Sequence, residues 1–418
     1  MQFNQIPQLI LAFLVVHSLA AQSVPHYAVK LVPDWDQQLI RAEQTIEFEH
    51  GLGAVEWHKR SGINVTRADL DGTEVTITED AVTASLAANG VHRLSAAYTA
   101  KPSRGFRWLK DDPSTLYTVF YCGAWMICDP NPNHRITASL EFVLPVSSGL
   151  RAVGPGRLAK RWQDDEGDHF LFEQRQPVQT YLLSFAVAKL KPTVKDQFTA
   201  YAKEPGHDKL FEDTLHAYEF LHAKAGIDPI NPHYTQVFLP GTNVAQESSG
   251  LALMSDEHLT QLETEDAVGT MVHELAHQWW GALVGIRSWS DFWLNEGMAE
   301  FITNAYLEQR VGRDAYDRRI AELQRRLEQL RAEGKDRPLH WEEWRDAREA
   351  LGRIPYVKGG LFLHRLRKRL GDETFWRGLA LYTSRNANRL VDTEDFKEAM
   401  EEASGSDLTK LFKDEVYN

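Results

Sequence analysis

The residues best suited to chemistry are two histidines and a glutamate within the segment His273-Glu274-Leu275-Ala276-His277. In an α-helix, side chains four positions apart lie on one face, so both imidazoles can reach the same ion. Zinc accepts such nitrogens at about 2.0–2.1 Å and, in catalytic sites, keeps one position for water. Glu274 directly follows the first histidine, where its carboxylate can reach that water without binding the metal. The spacing predicts a catalytic zinc ion with Glu274 as the general base.

A third candidate ligand, Glu296, follows in the next helical segment. Eighteen residues separate it from His277. The five-residue motif alone is weak evidence, because a surface helix can carry two histidines and a glutamate by chance. Here the motif lies in an apolar, tryptophan-bearing segment and a carboxylate follows, so a metal site is favoured. Glu300 lies one helical turn after Glu296 and has two interpretations: a hydrogen-bond acceptor for a ligand histidine, or a solvated helix charge.

Two kinds of sequence surround these residues and must position them. Residues 25–191 alternate apolar and polar positions over short stretches, which predicts an N-terminal domain of antiparallel β-sheet or sandwich, with 180–188 as its last strand. Residues 192–418 predict an α+β, mainly helical C-terminal domain that contains the metal residues. In that domain we expect strands at 234–240 and 250–254 and helices at 210–225, 267–283, 295–310, 316–333, 358–370 and 393–402.

Composition narrows the classes of partner. The chain has 418 residues, of which 43% are hydrophobic, and this length is ample for two or three domains with buried cores. Its formal net charge of −13 argues against a nucleic-acid partner, because phosphate binding requires a concentrated basic surface. The acidity mainly reports solubility and identifies no substrate.

The N-terminus predicts export. An apolar run at 9–16 is followed by small residues at 18–22, which is typical of a secretory signal peptide at 1–21, although the first residues lack the usual Lys or Arg. The run is too short to span a bilayer. We therefore expect a periplasmic or extracellular protein with no membrane span in the mature chain. In an oxidising compartment, Cys122 and Cys128 form either a disulfide or a pair of buried thiols.

The extended metal segment resembles the aminopeptidase N family of gluzincin zinc metallopeptidases. Residues 273–281 (HELAHQWWG) and 288–297 (SWSDFWLNEG) carry the family's motif and its gap of eighteen residues before the glutamate ligand. Residues 26–27 (HY), 128–130 (CDP) and 355–359 (PYVKG) resemble further landmarks in the same order.

This resemblance covers nearly the whole chain after 1–21. It implies a thermolysin-like catalytic domain, one Zn²⁺ per chain held by His273, His277 and Glu296, and aminopeptidase activity on peptides with a free N-terminus.

The resemblance also implies roles for residues outside the metal motif. Tyr356 matches the family's catalytic tyrosine, which stabilises the developing negative charge, although Val357 replaces the glutamate of the Tyr-Glu-Lys-Gly motif. Glu247 matches the carboxylate that binds the substrate's α-amino group. Three neighbours of Glu247 depart from the family's Gly-x-Met-Glu-Asn motif: Val244, Gln246 and Ser248. Among them, Gln246 is expected to bind substrate in a more polar first pocket.

The end of the sequence and the altered segment 244–248 leave several functions open. The chain ends at Asn418, after a stretch that resembles the close of the family's catalytic domain, which predicts a short member without the C-terminal helical domain and with an open site. An aminopeptidase is favoured. A zinc endopeptidase on the same scaffold is the alternative, and a non-catalytic peptide-binding protein is a third. The sequence determines neither the preferred side chain, nor the natural substrate, nor the oligomeric state.

Overall fold

The computed structural model describes residues 24–344 and 352–418, so the predicted signal peptide at 1–21 lies outside the described residues. The first part of the described chain is built from short strands. In chain order these are β1 (His26–Asp34), β2 (Leu39–His50), β3 (Gly53–His58), β4 (Ile63–Leu70), β5 (Thr73–Glu74), β6 (Thr76–Ile77), β7 (Ala81–Leu86), β8 (Gly90–Ala100), β9 (Phe106–Trp108), β10 (Leu116–Thr118), β11 (Ile136–Leu144), β12 (Arg151–Val153), β13 (Arg157–Gln163), β14 (Asp168–Val178) and β15 (Ala186–Ala188).

These strands form three sheets, which confirms the predicted β-rich N-terminal part. The largest has eight strands in the order β13-β14-β11-β1-β2-β8-β4-β5, and smaller sheets are formed by β3-β7-β6 and by β12-β15-β10-β9. Pairing is antiparallel except between β1 and β11, which run parallel. Alternation explains the packing of β1: Tyr27, Val29 and Leu31 point into the core, while the residues between them are partly exposed.

The strand predicted at 180–188 is wrong in its first half. Thr180–Leu182 is a 3₁₀-helix, and only Ala186–Ala188 pairs as a strand. In the segment between them, the Ser184 N–H donates to a side chain, Ser248 Oγ at 2.9 Å, instead of to the backbone of a neighbouring strand. The turn therefore connects the N-terminal part to the strand that borders the candidate site.

The second part of the chain combines one mixed sheet with helices. In chain order its elements are β16 (Lys191–Lys195), β17 (Phe198–Ala202), α1 (Asp208–Ala225), β18 (Tyr234–Leu239), β19 (Ala245–Ser248), β20 (Leu251–Ser255), α2 (Glu257–Thr260), α3 (Glu265–Ala276), β21 (Val284–Ile286), α4 (Trp293–Val311), α5 (Arg313–Ala332), α6 (Arg353–Leu370), α7 (Asp372–Arg385), β22 (Arg389–Val391), α8 (Thr393–Ser404) and α9 (Thr409–Glu415). Five strands form a sheet in the order β16-β17-β18-β20-β19, so β19 is an edge strand. The domain boundary between 191 and 192 stays a prediction.

Most predicted helices are present, with differences at their ends. Helix α3 ends at Ala276 rather than at 283, because the chain turns back and Trp280 bridges Val284. Gly281 makes this turn possible with φ of +140°, a conformation that side chains rarely allow. Helices α2, α7 and α9 were not predicted. The buried face of α7 includes Gly378 and Thr383, which weaken an apolar periodic pattern.

Both parts of the chain contribute to one continuous hydrophobic core. Its largest fully buried side chains include Trp125 from the first part and Trp279, Trp280 and Trp293 from the second. Cys122 and Cys128, left open by the sequence, are joined by a buried disulfide within this core. Within 24–344 and 352–418, no helix is both long and apolar enough to cross a bilayer.

Candidate active site

Helix α3 positions the two histidines. Thr264 caps its N-terminus by accepting the Ala267 N–H at 3.2 Å, so the helix begins at Glu265. His277 is the C-cap residue, but its φ of −62° and ψ of −14° keep it in helical conformation. The four-residue spacing therefore still brings the two imidazoles together, edge to face, with ring centroids 4.8 Å apart and ring planes at 79°.

Glu296 reaches the same point from the first turn of α4. Its Oε2 lies 3.2 Å from His273 Nε2 and 3.5 Å from His277 Nε2. The ligand atoms of the three residues all lie within 4.8 Å of one another. The structure thus brings together the three side chains that were predicted as metal ligands, from two helices that pack against each other.

A residue absent from the sequence-based predictions, Asn295, orients His277. The Nδ1–H of His277 donates to Asn295 Oδ1 at 2.6 Å, which leaves Nε2 directed toward Glu296. The Asn295 amide in turn donates to the Tyr181 hydroxyl at 3.4 Å, so the N-terminal part supports this pair. Gly281 leaves room for the amide, since a Cβ there would lie 2.7 Å from Asn295 Oδ1. The only available sequence signal was adjacency to Glu296.

Tyr356 is placed by a close crossing of α4 and α6. A Cβ on Gly359 would lie 2.8 Å from the Cα of Gly297, so the backbones touch at this pair of glycines. This contact brings the Tyr356 ring alongside His273, with ring centroids 6.0 Å apart and planes 10° from parallel. Burial raises the pKa of Tyr356 well above its usual value, and the charges of Glu296 and Glu247 add to the effect. The phenol therefore stays protonated and can donate.

Strand β19 carries Glu247 along the edge of the mixed sheet. Carboxylate oxygens of Glu247 and Glu274 and a ring nitrogen of His277 lie within 4.8 Å of one another. Glu247 Oε2 accepts from Gln246 Nε2 at 2.7 Å, whereas Oε1 is buried without a hydrogen-bond partner in the described part of the chain. Gln246, expected to add polarity to the first pocket, directs its amide nitrogen at this carboxylate instead.

Burial controls the charges in the site. It raises the pKa of Glu274 to about 7, with His273 opposing the shift and Glu296 adding to it. It also raises the pKa of Glu247 well above its usual value, and the charges of Glu296 and Glu274 contribute. Among the described residues, Glu274 Oε2 has no hydrogen-bond partner. A general base with a pKa near neutrality suits proton transfer at physiological pH.

The two histidines differ in protonation. Burial lowers the pKa of His277 to about 4, so its imidazole is neutral and its Nε2 lone pair is available to a metal. For His273 burial acts in the same direction, but the hydrogen bond and charge of Glu296 raise the pKa to about 9. Glu300 does not accept from either ring in the described structure and instead accepts from Asn304 Nδ2 at 3.1 Å.

The donor set fits a zinc ion. Two imidazoles and one carboxylate are the ligands of catalytic zinc sites, and here they converge in a buried pocket. Glu247 Oε1 and Glu274 Oε2 are buried acceptors without a hydrogen-bond partner among the described residues, and a cation in the pocket would satisfy them. His273, His277 and Glu296 would hold the ion, with Glu274 beside it. The fold and the site together define a zinc metallopeptidase of the gluzincin type.

Comparison with known proteins agrees with this class. The family model described as "Peptidase family M1 domain" matches residues 211–414. Aminopeptidase 2 of Candida albicans is 25% identical over 434 aligned residues, covering 92% of this chain and 46% of that protein. Aminopeptidase N of Streptomyces lividans is 28% identical over 215 residues, covering 48% of this chain and 25% of its own length. The chain thus spans less than half the length of these curated relatives.

Solved structures show the same fold over the whole described chain. A two-domain M1 zinc metallopeptidase mutant bound to L-tryptophan superimposes with a TM-score of 0.77 at 22% identity, covering 94% of each chain. The M1 zinc metallopeptidase from Deinococcus radiodurans gives the same TM-score and identity, with 94% of this chain and 93% of its own covered. Together these matches support a gluzincin of the aminopeptidase N family, also named M1, whose members use one catalytic zinc ion.

Proposed function

We propose that this chain is a zinc-dependent aminopeptidase that removes N-terminal residues from peptides. The observation that carries the proposal is the buried carboxylate of Glu247, which lies beside the general base and keeps one oxygen without a partner in the described residues. An ammonium group placed there forms a charge-assisted hydrogen bond. A peptide with a blocked terminus leaves the carboxylate unpaired, which costs binding free energy.

The proposed mechanism divides the chemistry among the side chains of the site. His273, His277 and Glu296 would hold a zinc ion, which would polarise the scissile carbonyl and make water more acidic. Glu274 takes the proton of the attacking water and then delivers it to the amine nitrogen of the leaving peptide. Tyr356 donates a hydrogen bond to the oxygen that gains negative charge as the carbonyl becomes tetrahedral. Glu247 fixes the α-ammonium group, so the first peptide bond lies over the water.

The proposal is tested with matched peptides that differ only in N-terminal acetylation, on enzyme whose zinc content is measured in the same preparation. We expect turnover of the free peptides and little turnover of the acetylated ones. Glu247→Ala should raise KM for free peptides and reduce the discrimination. Equal hydrolysis of free and acetylated peptides by the unmodified enzyme would favour the endopeptidase alternative.

A different variant distinguishes the proposed enzyme from a non-catalytic peptide-binding protein. Glu274→Gln keeps the shape of the site and should retain zinc while losing most turnover. Binding of peptides without hydrolysis by zinc-loaded, unmodified protein would support the binding function instead.

We also propose that the protein is exported to the periplasm or the extracellular space. The signal-like residues 1–21 and the disulfide between Cys122 and Cys128 support this location, because disulfides persist in oxidising compartments. Fractionation of expressing cells, with thiol labelling of the mature protein, tests it. Recovery in the cytoplasm with both cysteines labelled would contradict export.

A further inference from the structure

Gln246 lies at the position where the family's motif has methionine, and its side chain contacts the neighbouring Glu247. The residue lies on edge strand β19 and is 6% exposed. Its Nε2 donates to Glu247 Oε2 at 2.7 Å and to the Glu247 carbonyl oxygen at 2.8 Å. Successive side chains of a strand point to opposite faces. The amide of Gln246 must therefore bend back along the strand to contact the carboxylate of its neighbour.

This contact has an electrostatic consequence for Glu247. The carboxylate lies in a pocket with Glu274 and Glu296, and no Lys or Arg donates to it in the part of the chain that the structure describes. A neutral amide donor stabilises the ionised carboxylate without competing as a cation for the substrate's ammonium group. Because Gln246 occupies Oε2, it leaves Oε1 as the oxygen available to a ligand.

We propose that Gln246 is a specificity-determining positioning residue, which holds the Glu247 carboxylate so that Oε1 faces the substrate's α-ammonium group. A thioether or an alkyl chain at 246 fills the same space but cannot donate. The carboxylate is then free to rotate, and recognition of the free amine weakens. This inference rests on the proposed aminopeptidase function and adds to it the group that orients the amine anchor.

The test compares Gln246→Met with a matched control, Gln236→Met. Gln236 lies on β18 of the same sheet, is also buried, and donates from Nε2 to Thr214 Oγ1 at 2.8 Å. Gln246→Met removes two buried amide hydrogen bonds and Gln236→Met removes one, but only the first substitution changes the surroundings of Glu247. If Gln246→Met fails to fold, Gln246→Leu is used in its place.

Two readouts separate positioning from general damage. The first is the ratio of kcat/KM for free and N-acetylated peptides. The second is the ratio of the affinities for L-tryptophan and for indole-3-propionate, which lacks the amine, both measured by calorimetry. Gln246→Met should lower the preference for the free amine about tenfold, the effect of losing a hydrogen bond to a charged group, mainly through KM. Gln236→Met should leave both ratios unchanged.

The outcomes distinguish this inference from the proposed function. An unchanged preference in Gln246→Met, or equal losses on free and blocked ligands, overturns the positioning role while the aminopeptidase function stands. If Glu247→Ala keeps the full preference for free amines, the amine anchor itself is refuted, and the role of Gln246 falls with it.

Discussion

The crossing of α4 and α6 at Gly297 and Gly359 makes Tyr356 sensitive to a single methyl group. In Gly359→Ala the new Cβ would lie 2.8 Å from the Cα of Gly297, and ordinary contact begins at 3.4 Å, so the helices must separate by about 0.6 Å. The obstacle is backbone, which cannot rotate away as a side chain can. Tyr356 lies three residues before the substitution and moves with the helix.

The expected effects on stability and catalysis differ in size. Replacing glycine by alanine inside a helix favours folding by about 1 kcal/mol, whereas overpacking a tight contact costs about 1–3 kcal/mol. We therefore expect a net loss of about 0–2 kcal/mol in the free energy of unfolding. Misplacement of a catalytic group by about 1 Å can cost about 100-fold, so a shift of this size should lower kcat by about tenfold or more.

The adjacent glycine supplies the control. In Gly360→Ala the Cβ would meet side-chain atoms, Glu300 Cγ at 3.1 Å and Leu323 Cδ1 at 3.3 Å, which can move. Thermal unfolding, zinc content and steady-state kinetics are measured on both variants. Gly359→Ala should retain zinc and lose kcat, while Gly360→Ala stays close to the unmodified enzyme. If Gly359→Ala keeps kcat/KM within about twofold, or if both variants lose it equally, the positioning argument is refuted.

Three further predictions follow from other contacts. Asn295→Ala removes the acceptor of the His277 Nδ1–H and should weaken zinc affinity about 10–100-fold in competition with a chelator; unchanged affinity would contradict this role. In Glu274→Gln we expect full zinc occupancy with kcat reduced at least about 100-fold, and activity near the unmodified level would remove this residue from the mechanism. His169 is buried between two carboxylates; burial opposes protonation, but hydrogen bonds to Glu141 and Asp164 raise its pKa. Protonated His169 therefore stabilises the folded protein fully at pH values below the unfolded pKa of histidine, about 6.5. This stabilisation is lost as the pH rises through the higher pKa of His169 in the folded protein. The Tm of His169→Gln should therefore fall less steeply with rising pH than the Tm of the unmodified protein.

Local spacing was enough to predict that the three candidate metal ligands meet. His273, His277 and Glu296 depend on helix periodicity and on one short connection, both of which are visible in a linear pattern. The structure places their ligand atoms within 4.8 Å of one another. The β-rich first part and helical second part were likewise predicted, because alternation and helical periodicity are properties of short stretches. The end of α3 was placed too late, since the turn at Gly281 depends on packing against Asn295.

Contacts between residues far apart in the sequence, and the side-chain contact on edge strand β19, could be seen only in the tertiary structure. Nothing in the spacing of Tyr181 and Asn295 indicated that they meet, because 114 positions separate them along the chain. The direction of the Gln246 amide was equally hidden, since neighbouring side chains of a strand start on opposite faces and only the structure shows that these two meet. Periodicity specifies which face a residue occupies, whereas hydrogen-bond partners are selected by the packing of whole elements against each other. The convergence of His273, His277 and Glu296 was therefore readable from the sequence. The contacts that Asn295 and Gln246 make with their neighbours were not.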